Sequence, residues 1–339
     1  MIKRWSLLFG WSVLLSTQAV LAQVSGYTPP TGFRTFSLGL SDGAVAISPS
    51  GKMAVAVGRF GGGATITVYD RISPQGRQIL ATISDSQWQF FGGLAWRDDT
   101  TLVFSENGDM DTLFEWDTTT GAVNFLAPQG ATPNVADVVI VGNQVLALGA
   151  DGPNANKLYR VANGSATVLV NAYGTGYAGG LGFQNGLIYA GDTNDPNFVG
   201  NPGQVFRFQP TIGNDGLITG VQLVDTLSLA GGGGAGVVSL VFDSEGDLIA
   251  TTQRTLTLLR GTQAMPFGTF SGSFPFPTSI AYYGSGFEPF HGTGVLIVNA
   301  RFTEVGEVFA ITPVPEPASL GVLSAGLLAV ALHKRRRRA

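Results

Sequence analysis

The sequence predicts an all-β fold, a ring of six blades with four short strands in each, and three observations predict it. The first is punctuation. Apolar residues fall in short β-branched and aromatic runs bounded by Gly, Asn, Asp and Pro, with 48 Gly in 339 residues, and no long helical periodicity runs through the body. The second is repetition. Similar units begin at Gly43, Gly92, Ala136, Gly179, Gly236 and Thr278, spaced by 49, 44, 43, 57 and 42 residues, and a period of about 40 to 50 residues with four strands is that of a β-propeller blade. The third is a mismatch at the ends. The last unit, Thr278 to Pro313, shows three clear strands, while FRTFSLGL, Phe33 to Leu40, is a strand with no unit of its own. Pairing the two closes a six-bladed ring. A β-sandwich, or a pair of them, suits the strand lengths but not the repeat.

Taken in order, the chain divides into a signal peptide over 1–22, a propeller over 33–313 and a tail over 314–339. Lys3 and Arg4 precede the apolar stretch Trp5 to Ser16, and Val20-Leu21-Ala22 offers a small-residue cleavage site, the layout of a secretory signal. Each unit then opens on an innermost strand of small and apolar residues: AVAIS, GLAW, DVVIV, LGF, SLVF and SIAYY. Hairpin turns follow at Ser50-Gly51, Asp98-Asp99, Gly142-Asn143, Asn185-Gly186 and Glu245-Gly246, residues suited to tight connections. After Pro313 the chain reads Val314, Pro315, Glu316, Pro317, Ala318, Ser319. An uncharged run follows to Leu332, then Lys334, Arg335, Arg336, Arg337 and Arg338. The two prolines stop the preceding fold. A helix over Ala318 to Leu332 rises about 22 Å, short for a hydrocarbon core but able to span where the bilayer thins and basic side chains snorkel. The basic cluster places its own end on the cytoplasmic side.

Charge and composition exclude several classes. Of 19 Lys and Arg, seven lie in the two ends, which leaves twelve against 23 Asp and Glu and a body near −11. Such a body has no clustered cations for nucleic acid or anionic lipid. No Cys is present, which removes thiol catalysis, thiolate zinc and iron–sulfur clusters. With only His291 and His333 in the chain, His-based metal sites and a Ser-His-Asp triad have little to build on. The Gly231 to Gly234 run lacks the Lys-Ser/Thr of a phosphate loop and reads as a turn.

Candidate sites lie where the loops between second and third strands gather with the inter-blade connections. GDTNDPN offers Asp192, Asn194, Asp195 and Asn197 as oxygen ligands for Ca²⁺, although the spacing of an EF-hand is absent, and the same residues are ordinary turn formers. SENGDMD places Glu106, Asp109 and Asp111 on that face. Trp88 and Tyr177 in the connections add aromatic surface, suited either to stacking on a sugar or to packing between blades.

Val-Pro-Glu-Pro-Ala-Ser followed by an apolar run and an Arg-rich end resembles the PEP-CTERM sorting signal of Gram-negative bacteria. The resemblance implies export, transient anchoring in the inner membrane, processing by an exosortase-type protease, and residence at the cell surface or in a biofilm matrix. A plain C-terminal anchor is the alternative. The blade rhythm resembles six-bladed propellers of the NHL-repeat and gluconolactonase-like kind. Their resemblance implies a channel metal held by acidic and amide side chains, yet only Asp137 is acidic on the innermost strands. The expectation is therefore a surface-displayed binding module, its ligand an extracellular polysaccharide, with a metal-dependent lactonase-like hydrolase as the alternative.

Overall fold

A computed structural model describes Val24 and residues 26–59, 61–150, 155–174, 176–192, 203–229, 236–252, 255–271, 276–290, 292–301 and 306–314. The signal peptide, Asn194, Asp195, Asn197, His291 and the tail beyond Val314 lie outside them. Among the described residues there is no helix, and none is therefore long and apolar enough to cross a membrane. All regular structure among the described residues is β.

Two strands precede the first blade, β1 (Tyr27–Thr28) and β2 (Phe33–Leu40). Blade 1 is β3 (Ala44–Ile47), β4 (Met53–Val57), β5 (Ala64–Tyr69) and β6 (Ile79–Asp85). Blade 2 is β7 (Leu94–Trp96), β8 (Thr101–Glu106), β9 (Thr112–Asp117) and β10 (Val123–Phe125). Blade 3 is β11 (Asp137–Val141), β12 (Gln144–Ala150), β13 (Asn156–Ala162) and β14 (Ser165–Val170). Blade 4 is β15 (Ala178–Gln184), β16 (Leu187–Asp192), β17 (Gln204–Ile212) and β18 (Ile218–Ser228). Blade 5 is β19 (Ser239–Phe242), β20 (Leu248–Thr251), β21 (Thr255–Arg260) and β22 (Gln263–Phe270). Blade 6 is β23 (Phe276–Tyr283), β24 (Val295–Arg301) and β25 (Gly306–Pro313), completed from the other end of the chain by β2.

Six antiparallel sheets result, and β3, β7, β11, β15, β19 and β23 touch one another in a closed cycle around the axis. The ring is closed as the orphan strand predicts: β2 pairs with β25 from Phe33 opposite Pro313 to Leu40 opposite Val308. The two-residue β1 was not foreseen. It adds a fifth strand to blade 5 through Tyr27 opposite Phe270, and the Tyr27 hydroxyl donates to the Phe267 carbonyl at 2.6 Å. The N-terminal segment thus joins two blades.

Strand position within a blade follows from burial. The second strands are covered on both faces: every residue of β12 (QVLALGA) is buried and so are four of the five in β4 (MAVAV), which explains continuous apolar runs in place of alternation. Fourth strands face solvent, and β6 is alternately exposed. Six apolar clusters fill six seams. The seam between blades 1 and 2 holds Ala54, Ile66, Trp88, Phe104 and Trp116, and that between blades 5 and 6 holds Leu256, Phe267, Phe270, Leu296 and Phe309. Blade-to-blade packing, rather than one central core, stabilises the ring.

Candidate functional site

The central channel is lined by the innermost strands of all six blades and encloses about 260 Å³. One position of the blade repeat governs its wall. It is occupied by Ala44, Gly93, Asp137, Gly180, Ser239 and Ser279, and in blades 3, 5 and 6 its side-chain oxygen reaches a main-chain N–H of the next blade. Ser239 Oγ accepts from Ile280 N at 3.3 Å, Ser279 Oγ from Val45 N at 3.1 Å, and Asp137 Oδ2 from Leu181 N at 2.8 Å. In blades 2 and 4 the backbones approach directly: a Cβ at Gly93 would stand 2.5 Å from Val138 N, and one at Gly180 would meet Leu240 N. Asp137 is thus the carboxylate version of an inter-blade clamp.

Its environment is unusual for a carboxylate. Asp137 lies deep in the molecule, and the partial exposure it retains opens onto the channel it lines. Burial pushes its pKa up from 3.8 to about 7, against the opposing effect of hydrogen bonds from Leu181 N and Val138 N. Val138 N donates to Oδ1 at 2.9 Å, so each carboxylate oxygen accepts a main-chain N–H. A channel metal of the gluconolactonase kind needs several converging oxygen ligands. Asp137 is the one carboxylate among the channel-lining residues, and no group of three or more Asp, Glu or His converges among the described residues. These residues do not fit such a metal.

Crossovers between blades and the loops joining second and third strands form one face, and here the structure distributes the expected site residues. Glu106 ends β8 and is fully buried; its Oε1 accepts from Gln89 N at 2.9 Å and Gly108 N at 2.8 Å, and Oε2 from Met110 N at 3.1 Å. Asp192 ends β16 at the equivalent blade position, also fully buried, and its Oδ1 accepts from Gly176 N at 3.1 Å and lies 3.5 Å from Asn156 Nδ2. Each carboxylate ties a second strand to the crossover that leads into its own blade. Trp88 is buried, with its ring against Phe91, Phe104 and Phe114. It closes the seam between blades 1 and 2 instead of facing solvent. Asp109 and Asp111 tie the loop to the crossovers on either side of blade 2: Asp109 Oδ1 accepts from Gln89 Nε2 at 3.1 Å, and Asp111, at φ 46°, accepts Asn134 N at 3.1 Å.

Tyr177 alone of the expected aromatic pair reaches a concavity. It is half-buried and lines, with Asn107, Asn134, Val135 and Ala150, a cavity of about 440 Å³ on this face. Asn107 Nδ2 donates to Val135 O at 2.5 Å, while its Oδ1 is buried with no hydrogen-bond partner. The sequence places Asn107 in the same polar loop as Glu106, Asp109 and Asp111, but nothing in it singles out this amide or the cavity beside it. Sequence reasoning missed the opposite mouth, where Trp96, Tyr282 and Tyr283 surround a cavity of about 370 Å³ beside Asp243. Burial raises the Asp243 pKa, and Asp247 and Glu245 nearby add to the rise. The signal was available: Trp96 and Tyr282 occupy matching places in GLAW and SIAYY.

Comparison with known proteins separates the two parts of the chain. Residues 313–337 match the PEP-CTERM protein-sorting motif, which implies processing by an exosortase-type system and export through membrane-anchored sorting to the cell surface. Against curated protein sequences the chain finds no match. In structure, a gluconolactonase from Xanthomonas campestris aligns with TM-score 0.58 at 12% identity, covering 85% of this chain and 95% of that one. A luciferin-regenerating enzyme aligns with TM-score 0.56 at 12% identity, covering 84% and 96%. Identities this low speak for the fold alone. The chain carries a PEP-CTERM sorting motif at its C-terminal end, and the body ahead of that motif is a six-bladed β-propeller similar in fold to gluconolactonases.

Proposed function

We propose that the protein is an exported binding module, displayed at the cell surface or in the extracellular matrix, whose propeller takes a hydroxyl-rich ligand such as a polysaccharide. The observation that carries this reading is the state of the channel carboxylate. Asp137 already receives a main-chain N–H on each oxygen and acts as a clamp between blades, so the channel offers no assembled acid–base or metal constellation among the described residues. The cavity on the crossover face supports binding in its place. Tyr177 presents an amphipathic ring there, and Asn107 contributes an amide whose carbonyl oxygen lacks a protein donor. An aromatic ring beside side-chain amides suits a ligand rich in hydroxyls.

The test is a glycan-binding screen of the exported protein against bacterial exopolysaccharides, with Tyr177→Ala and Asn107→Ala beside it. Binding weakened about tenfold or more in either variant, about 1.4 kcal/mol, supports the reading. Hydrolysis of a lactone by the protein on addition of a divalent metal, without glycan binding, would favour the lactonase-like alternative that the shared fold suggests.

A further inference from the structure

We infer that, while its tail is anchored, the propeller is held with the crossover face turned away from the membrane, by the place where the tail leaves the fold. The inference rests on the apolar run of the tail entering a bilayer, and on no choice of ligand. The exit point is fixed by hydrogen bonds. Pro313 is the last residue of β25 and pairs with Phe33, and Val314 N donates to Gly32 O at 2.8 Å. The sorting motif begins at 313, so its first two residues belong to the folded ring.

Strand direction then sets the geometry. β25 starts on the crossover face, after the loop joining second and third strands, and ends on the opposite face, beside the turn at 29–32 that leads into β2. Its eight residues separate the two faces by about 26 Å, at about 3.3 Å per residue. From Val314 to Ala318, where the uncharged run begins, there are four residue steps, a reach of about 14 Å at full extension. The connection is shorter than the blade is tall. The crossover face, with Tyr177 and Asn107, cannot lie flat on a bilayer that holds residue 318, whereas the hairpin face or the adjoining edge of blade 6 can.

The absence of Cys from the chain makes a clean test available. Thr31 on the hairpin face and Gln129 on the crossover face are both exposed. Thr31→Cys and Gln129→Cys, each made in the chain with its tail intact, are labelled with a short-range donor dye. They are reconstituted into phosphatidylethanolamine–phosphatidylglycerol vesicles carrying an acceptor on the headgroup. Energy transfer at least about twofold greater from position 31 is expected, given the separation of about 26 Å between faces. Equal or greater transfer from position 129 overturns the inference. A second arm inserts a Gly-Ser segment of about 30 residues between Val314 and Pro315, with a root-mean-square reach of about 30 Å. Loss of the difference is expected. Its persistence would show that lipid affinity of the hairpin face, and not the tether, sets the orientation, and this too overturns the inference. A chain that fails to float with the vesicles at all removes the anchoring on which the inference rests, a result distinct from bound protein with equal transfer.

Discussion

Asp137 Oδ2 accepts the main-chain N–H of Leu181 at 2.8 Å across the seam between blades 3 and 4. The serines at the same blade position make the corresponding bond with one hydroxyl, so the carboxylate brings a charge that the clamp does not need. With the folded pKa near 7 against an ordinary value of 3.8, the folded protein retains a proton between about pH 4 and 7 that the unfolded chain has lost. Stability therefore falls as pH rises through that window and levels off above it. Each pH unit of separation is worth about 1.4 kcal/mol. Asp137→Ser keeps an acceptor for Leu181 and removes the titration. Denaturant unfolding at pH 4, 5.5 and 7 should show a stability difference, wild type minus variant, that declines with pH. A flat difference would mean that Asp137 does not carry the raised pKa.

Glu106 is expected to behave as a structural anchor. Glu106→Ala leaves the N–H groups of Gln89, Gly108 and Met110 without their acceptor, at a cost of about 2–4 kcal/mol. Glu106→Gln, which keeps an oxygen in place, should lose less than half of that. Urea melts of the three proteins make the comparison.

Trp88→Ala removes a fully enclosed ring from the seam between blades 1 and 2, and the expected loss is about 3–5 kcal/mol. Ligand binding by the folded fraction should be unchanged, because the ring faces Phe104 and Phe114 and not the surface. A variant of native stability with weakened binding would return Trp88 to the ligand site.

Gly180→Ala tests the direct backbone contact between blades 4 and 5. The added methyl would run into Leu240 N and the Ser239 backbone, so overpacking of about 1–3 kcal/mol is expected. Thermal melting reads it, with a midpoint lowered by several degrees and no change in secondary structure.

Calcium addresses the GDTNDPN stretch. Asp192 Oδ1 is already engaged by Gly176 N, and titration with millimolar calcium is expected to leave the melting midpoint unchanged. A rise that grows with calcium concentration would mark a site built on Asp192 with its neighbours in the chain.

Much of the ring was legible in the sequence because blade order is encoded by repetition. The innermost strands, the hairpin turns and the closure of β2 on β25 all follow from unit spacing and one orphan strand. β1 was not legible: two residues carry no period, and its placement depends on a long-range hydroxyl bond from Tyr27 to Phe267. The site was harder for a related reason. Glu106 and Asp192 sit next to Asn, Asp and Gly, so their neighbourhood reads as a solvated loop. Each is the last residue of a second strand, and its carboxylate turns back onto main-chain N–H groups. Aligning the units places the two carboxylates at one blade position, a hint of shared duty that composition alone conceals. Trp88 shows the same limit, since a ring in a crossover has no pattern that separates a seam from a surface.

Closure of the ring by β2 and β25 also sets a schedule. Phe33 is among the first residues of the propeller to be made, and its partner Pro313 the last. Pairings this distant in sequence are slow to form and leave unpaired edges exposed meanwhile. During synthesis the N-terminal strand must wait through nearly the whole body before its partner is made. When that partner arrives, the sorting signal is the next segment in line. The last step of folding and the first step of sorting therefore fall within a few residues of each other, and a body whose ring cannot close would present its tail from an unfinished sixth blade.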